Sequence, residues 1–235
     1  TTPLVNTLLA TDSKLFAGTV NGGGVFVSTN DGANWTEANV GLKNRTVLCL
    51  AALGKYVYSG TQDGGIFRSE DGGQTWIEAN TGISSHSVLA LMAKNGKLFA
   101  GTDGGGAFIS SDSGSTWNLL NSGLRDLRVR AFGFQDIETD TYLYCGGGSG
   151  FFYRLDVDQT RWIAGEIGDI HPPVSALLIH GATYIAATSG GGVYRSEDKG
   201  VLWKSVGNGL STANISCIVL SGTQMFVGTY GKGIF

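Results

Sequence analysis

The five tryptophans of this chain, Trp35, Trp76, Trp117, Trp162 and Trp203, stand 41, 41, 45 and 41 residues apart. Nine residues before each lies another aromatic: Phe26, Phe67, Phe108, Tyr153 and Tyr194. Phe235 continues that series 41 residues after Tyr194. A third series, Val5, Val47, Val88, Val129, Val174 and Ile215, keeps the same period. Three series in one phase mean six tandem copies of one supersecondary unit. Such a unit cannot bury its apolar face alone and does so by stacking on its neighbours.

Each copy reads as four short strands. In the third, Val88–Ala93 is strand A, 97–102 (KLFAGT) strand B and 106–111 strand C, and Trp117 opens strand D. Gly or Asn separates them, as hairpins require. Glycine occurs 38 times against three prolines, Pro3, Pro172 and Pro173, a balance that suits many tight turns better than a linker. No window of helical period reaches ten residues. The predicted fold is all-β, a six-bladed β-propeller of four-stranded antiparallel blades whose last blade lacks its outer strand. It is read as a single domain, 1–235, with blades at about 1–39, 40–80, 81–121, 122–166, 167–207 and 208–235. Strand A is expected innermost. Small residues lie two positions after the Val series (Thr7, Cys49, Ala90, Ala131, Ala176, Cys217) and large ones one position further. A parallel β-helix is the alternative, but its rungs are shorter and its turns less hairpin-like. Copy six stops within strand C. The expectation is a chain belonging to a longer protein, with an open edge at 233–235 available to pair with another strand.

Composition narrows the function. A net charge of −3 with no run of one sign argues against nucleic acid. The longest apolar runs are a handful of residues, too short to span a membrane. Cys49, Cys145 and Cys217 have no CxxC spacing and are read as small core residues. Asp136, Glu138 and Asp140 alternate in a lengthened A–B loop of copy four, but without the glycine and terminal glutamate of an EF-hand. No metal site, cofactor or catalytic residue is assigned.

The eight residues ending at each tryptophan carry a motif. Ser69-Glu-Asp71-Gly-Gly73-Gln-Thr75-Trp76 and Ser110-Ser-Asp112-Ser-Gly114-Ser-Thr116-Trp117 match S-x-D-x-G-x-T-W. The segment from Ser28 to Trp35 is a close variant with Asn30 for the aspartate. Ser196, Asp198, Gly200 and Trp203 keep four of the five fixed positions, and copy four keeps little beyond Trp162. The motif resembles the Asp-box, or BNR, repeat of sialidases, xyloglucan-cleaving propellers, sorting-receptor ectodomains and photosystem assembly factors. The fuller phrase LFAGT…GGGxFxSxDxGxTWxxxNxGL looks most like tandem propellers of secreted or surface proteins of bacteria. The resemblance covers nearly the whole chain and implies a structural role for the box. The aspartate would accept N–H bonds across the C–D hairpin, the glycine would take a positive φ, and the tryptophan would pack under the loop.

Strand alternation puts the D–A and B–C loops on one face and the boxes on the other. The B–C loops are glycine clusters, such as 22–24 and 104–106; with no helix after them they lack the cradle of a phosphate loop. Candidate ligand-binding residues therefore come from the D–A loops at the expected channel mouth: Arg45, His86, Asp126, Arg128, Arg130 and His171. Arg45, His86, Arg128, Arg130 and His171 would offer cationic groups to an anionic or sugar ligand. The leading expectation is a non-catalytic interaction module of an extracellular or surface protein, suspected bacterial, with a protein or glycan partner. A sialidase-like glycoside hydrolase is the alternative, although Tyr153-Arg154-Leu155 lacks the proline of the sialidase motif and lies in the wrong blade. An assembly factor resembling the photosystem type is the third.

Overall fold

The computed structural model describes residues 4–137, 140–155, 160–166, 172–207, 209–210 and 214–235, and every regular element in it is a β-strand. Internal packing groups the chain into two compact units, Thr1–Leu120 and Asn121–Phe235.

The first unit holds three sheets. The first blade is β1 (Leu4–Ala10), β2 (Leu15–Val20), β3 (Gly24–Ser28) and β4 (Thr36–Glu37). The second is β5 (Val47–Leu53), β6 (Tyr56–Thr61), β7 (Gly65–Ser69) and β8 (Ile77–Glu78). The third is β9 (Val88–Lys94), β10 (Lys97–Thr102), β11 (Ala107–Ser110) and β12 (Asn118–Leu119). In the second unit the fourth blade is β13 (Val129–Ile137), β14 (Asp140–Gly147), β15 (Phe151–Leu155) and β16 (Trp162–Glu166). The fifth is β17 (Val174–His180), β18 (Thr183–Thr188), β19 (Gly192–Ser196) and β20 (Lys204–Val206). The sixth is β21 (Ile215–Ser221), β22 (Gln224–Thr229) and β23 (Gly233–Ile234). Each sheet is an antiparallel meander in chain order. The chain is a six-bladed β-propeller with four strands per blade and three in the last, as its period predicts.

Within each unit the core lies between adjacent blades. One apolar cluster joins Phe16, Val25 and Val27 to Val47, Phe67 and Trp76; another joins Tyr58 and Ile66 to Val88, Phe108 and Trp117. In the second unit, Tyr144 and Phe152 pack with Val174 and Tyr184, and Ile185 and Val193 with Ile215 and Val227. The Val series makes these junctions. Val47, Val88 and Val174 are wholly buried. A methyl group on Gly18 would lie 2.5 Å from Val47, one on Gly60 2.8 Å from Val88 and one on Gly146 2.4 Å from Val174. At these three junctions the valine that opens strand A thus occupies the space left by a glycine on strand B of the preceding blade, whereas between the fifth and sixth blades Ala187 and Ile215 take the two places.

Strand A carries a bulge after its residue of the Val series in all six blades, for instance between Val47 and Cys49 and between Val129 and Ala131. Strand D in the first unit is only two residues long, shorter than the sequence suggests. The Trp76 N–H bonds to the Val40 carbonyl, in the loop leaving the first blade, at 2.9 Å, and the Trp117 N–H to Thr81 likewise; in the fourth blade Trp162 makes the same bond, to Ser122 at 2.8 Å, and still pairs with Leu155 in its own ladder.

Of the three cysteines, Cys49 and Cys145 are buried and Cys217 is exposed, against the core role expected for all three. Val88 lies over Cys49, whose thiol meets its carbonyl at 3.5 Å.

Candidate functional site

The C–D loops are built as the motif implies. The Asp71 carboxylate takes the Ser69 hydroxyl at 2.8 Å and the Thr75 N–H at 2.9 Å on one oxygen, and the Thr75 hydroxyl at 2.6 Å on the other. Ser69 Oγ in turn accepts the Gly73 N–H at 2.8 Å. Ser110, Asp112, Gly114 and Thr116 repeat this arrangement. In the first loop Asn30 stands in, accepting the Ser28 hydroxyl and the Asn34 N–H. In the fifth, Ser196 and Gly200 keep their bond, and Asp198 takes the Leu202 N–H at 2.8 Å. Donors converging on these carboxylates favour the ionised form. Asp71 and Asp112 are held down at about 2, the Thr75 and Thr116 hydroxyls being the largest cause, and Asp198 is lowered chiefly by the Leu202 N–H. Carboxylates this committed to backbone are turn formers.

The tryptophans divide into two kinds, which the motif alone does not foretell. Trp76 and Trp117 are buried, and their indole N–H groups cross to the preceding blade, to the carbonyls of Ala38 at 2.8 Å and Ala79 at 2.9 Å. Trp35 and Trp203 instead donate to their own loops, to Gly32 and Gly200, each at 3.0 Å. Trp203 sits edge-to-face on Phe152, with ring centroids 5.0 Å apart.

On the opposite side of each blade the D–A and B–C loops are tied together, as strand alternation predicts. Gly24 donates to the Arg45 carbonyl at 2.9 Å and Gly65 to the His86 carbonyl at 2.7 Å. Asn44 and Ser85, equivalent residues of the second and third blades, donate side-chain bonds to the carbonyls of Gln62 and Asp103. Asp126 holds the corresponding place in the fourth blade. Its carboxylate accepts the Arg128 N–H at 2.9 Å and the Ser149 N–H, which gives it a turn-forming role beside any ligand role.

The candidates distribute as follows. Arg45 and His86 are exposed, in consecutive loops of the first unit. His86 borders an open depression of about 370 Å³ with Asn44, Asp63, Asn80 and the Lys43–Glu78 ion pair (2.7 Å). In the second unit Arg128 is exposed, and Arg130, half-buried, is the bulged residue of β13, a position that turns a side chain out of the regular ladder. His171 and Glu138 fall outside the described residues. Asp136 accepts the Thr141 hydroxyl at 2.7 Å. Tyr153 is spent structurally: its hydroxyl accepts the N–H groups of Arg125 and Asp126, both at 3.1 Å, and burial raises its pKa.

Two structural residues in these loops are legible only once the register is known. Asn39 Oδ1 accepts the Val25 N–H at 2.8 Å while its amide donates to Gly23, and Asn80 does the same for Ile66 and Gly64. They are the asparagines of the N-x-G-L phrase. The glycine of that phrase, Gly41 in the first blade, has φ +82°, and a methyl on it would lie 2.2 Å from the Trp76 carbonyl oxygen.

No family model matches the sequence, and no curated protein matches it. Solved structures do. U3-55K superposes with a TM-score of 0.76 at 14% identity, over 100% of this chain and 77% of that one. YCF48 bound to D1 peptide gives 0.71 at 18%, over 98% and 76%. An ancestral GH74 enzyme gives 0.65 at 17%, over 78% of this chain and 27% of its own. At these identities the likeness is one of fold, and it is the β-propeller that all three share with this chain.

Proposed function

We propose that this chain is a non-catalytic binding module, an Asp-box propeller of a secreted or surface protein, presenting the D–A loop side chains to a protein or glycan. The observation that carries the reading is how the loop groups are employed. Asn44, Ser85 and Asp126 are committed to neighbouring backbone, whereas Arg45 and His86 project from loops fixed through their own carbonyls. Rigid loops displaying a guanidinium and an imidazole are preorganised for recognition, because little conformational entropy remains to be lost on binding. The peptide bound by the structurally similar YCF48 supports a protein partner in particular.

The test is a glycan array and a random-peptide display screen on the wild type and on Arg45→Ala/His86→Ala, with a fluorogenic sialoside and xyloglucan assayed alongside. Selective binding that the double variant loses at unchanged melting temperature is expected. Turnover of either substrate, abolished by Arg45→Ala or Arg128→Ala, would overturn the reading in favour of the glycoside hydrolase.

A further inference from the structure

The fifth blade breaks the repeat where nothing in its fold asks for it. The two residues before the tryptophan are polar or small in the other matching loops: Ala33-Asn34, Gln74-Thr75 and Ser115-Thr116. In the fifth they are Val201 and Leu202. Thr75 and Thr116 each give a hydroxyl hydrogen bond to the loop aspartate, and Leu202 cannot. Nor does it gain burial in exchange, since Val201 is 71% exposed and Leu202 68%. Across the gap between the fourth and fifth blades stands Ile163, 48% exposed. A hollow of about 380 Å³ separates Ile163 from Val201, floored by Phe152. A second, of about 400 Å³, is lined by the fifth blade alone, with Leu202 and Val206 among Arg195, Glu197, Asp198 and Lys204.

The rim of these hollows is basic. Arg154 and Lys199 border the first, and Arg195 and Lys204 the second. The two acids there are both engaged: Glu197 pairs with Arg195 at 2.7 Å, and Asp198 holds the loop backbone. The corresponding groove between the first and second blades has Thr36, Glu37 and Gln74 in place of Ile163, Ala164 and Val201, and its Lys14 is tied to the Gly72 carbonyl. The groove is thus common to two junctions, and of these two it is this one that has the apolar, cationic lining. Apolar side chains kept at the surface among cations mark an interaction site, and the charge selects an acidic partner. Two separate hollows suit individual apolar side chains of a peptide better than the plane of a membrane.

We propose that the surface around Val201 and Leu202, made by the groove between the fourth and fifth blades and the adjoining hollow on the fifth blade, binds an acidic peptide segment of a partner protein, with one apolar side chain seated in each. This rests on the reading of the chain as a binding module but uses a surface apart from its D–A loops.

The experiment uses a defined panel of fluorescein-labelled 15-residue peptides. Each carries two leucines four residues apart, in otherwise acidic, neutral or basic surroundings. Anisotropy is measured against the wild type, Val201→Gln/Leu202→Thr and Lys199→Glu/Lys204→Glu, and methyl spectra of the wild type are recorded with and without peptide. The acidic peptides are expected to bind most tightly, to lose at least tenfold in affinity to each variant, and to shift the methyl signals of Ile163, Val201 and Leu202. The Gln/Thr variant restores the pattern of the other loops, so a folding defect would not mimic the loss. Equal binding of the three peptide classes, absence of binding, affinity unchanged in the Gln/Thr variant, or preference for vesicles of phosphatidylcholine and phosphatidylglycerol would each overturn the proposal. If acidic peptides bind but lose affinity only in Arg45→Ala/His86→Ala, this groove is wrong and the module reading survives; glycoside turnover sinks the module reading itself.

Discussion

Replacing Gly41 with alanine tests whether the blade junction depends on a backbone-to-backbone approach. Gly41 has φ +82°, and an added methyl would sit 2.2 Å from the Trp76 carbonyl oxygen. The left-handed conformation alone costs an L-residue about 1–2 kcal/mol. The methyl must also push the second blade's loop away, where the Trp76 N–H meets Val40 at 2.9 Å and its indole meets Ala38 at 2.8 Å. Each hydrogen bond lost adds roughly 1 kcal/mol, so the expected loss is about 3–4 kcal/mol. Gly22→Ala is the matched control, because its φ is +83° and nothing lies within 4 Å of the added methyl. It should cost only the conformational part, about 1–2 kcal/mol. At roughly 2–4 °C per kcal/mol for a domain of this size, differential scanning calorimetry should resolve the two. Equal losses would refute the argument, since they would mean that the Gly41 contact with Trp76 carries no weight.

The two kinds of tryptophan should separate on mutation. Trp76→Phe strands the Ala38 carbonyl and should cost about 1–3 kcal/mol by urea denaturation, whereas Trp35→Phe, at an exposed ring bonded to its own loop, should cost well under that. Stability should fall in acid through the loop aspartates. Their folded pKa is depressed, so the contribution is fully present above the ordinary carboxylate value near 4 and is lost as pH drops toward about 2. Asp71→Asn should flatten the dependence of melting temperature on pH between about 4 and 2, and an unchanged slope would count against the assignment. Leu202→Thr should raise the melting temperature slightly, by restoring a hydroxyl bond to Asp198 like that of Thr75 to Asp71. Thiol titration of the native protein should modify Cys217 first and leave Cys49 and Cys145 unreactive, since burial both shields those two and raises their pKa.

The fold was legible because it is repetitive: a period written in Trp, Phe or Tyr, and Val leaves few architectures, and the signature loops follow from side-chain chemistry within eight residues. What the sequence concealed depends on contacts between copies. Trp76 and Trp35 occupy the same place in the motif, yet one indole reaches the preceding blade and the other its own loop. Asn39 and Asn80 look like loop residues until the register brings them to strand C. The interior cluster in which Tyr144 and Tyr184 share a hydrogen bond of 2.9 Å and both approach Gln135 joins residues up to 49 positions apart, with no local signal. On the candidate face, the sequence located the loops but not the use of Asp126 as a turn former. It also gave no sign that Val201 and Leu202 would be exposed, because an apolar pair in a β protein reads first as core.

The valine seated against a glycine of the preceding blade has a bearing on how such a chain is assembled over generations. The second copy carries both halves of the fitting, Val47 at the start of strand A and Gly60 on strand B, so a duplicate of it could stand after the original, whereas the fifth has Ala187 at the glycine place and the sixth Ile215 at the valine place. Duplicating that 41-residue cassette adds a seam already matched on both sides, without compensating change elsewhere. Within each cassette the loops are then free to diverge independently, which is how one groove can turn apolar and basic while its counterpart between the first and second blades stays polar.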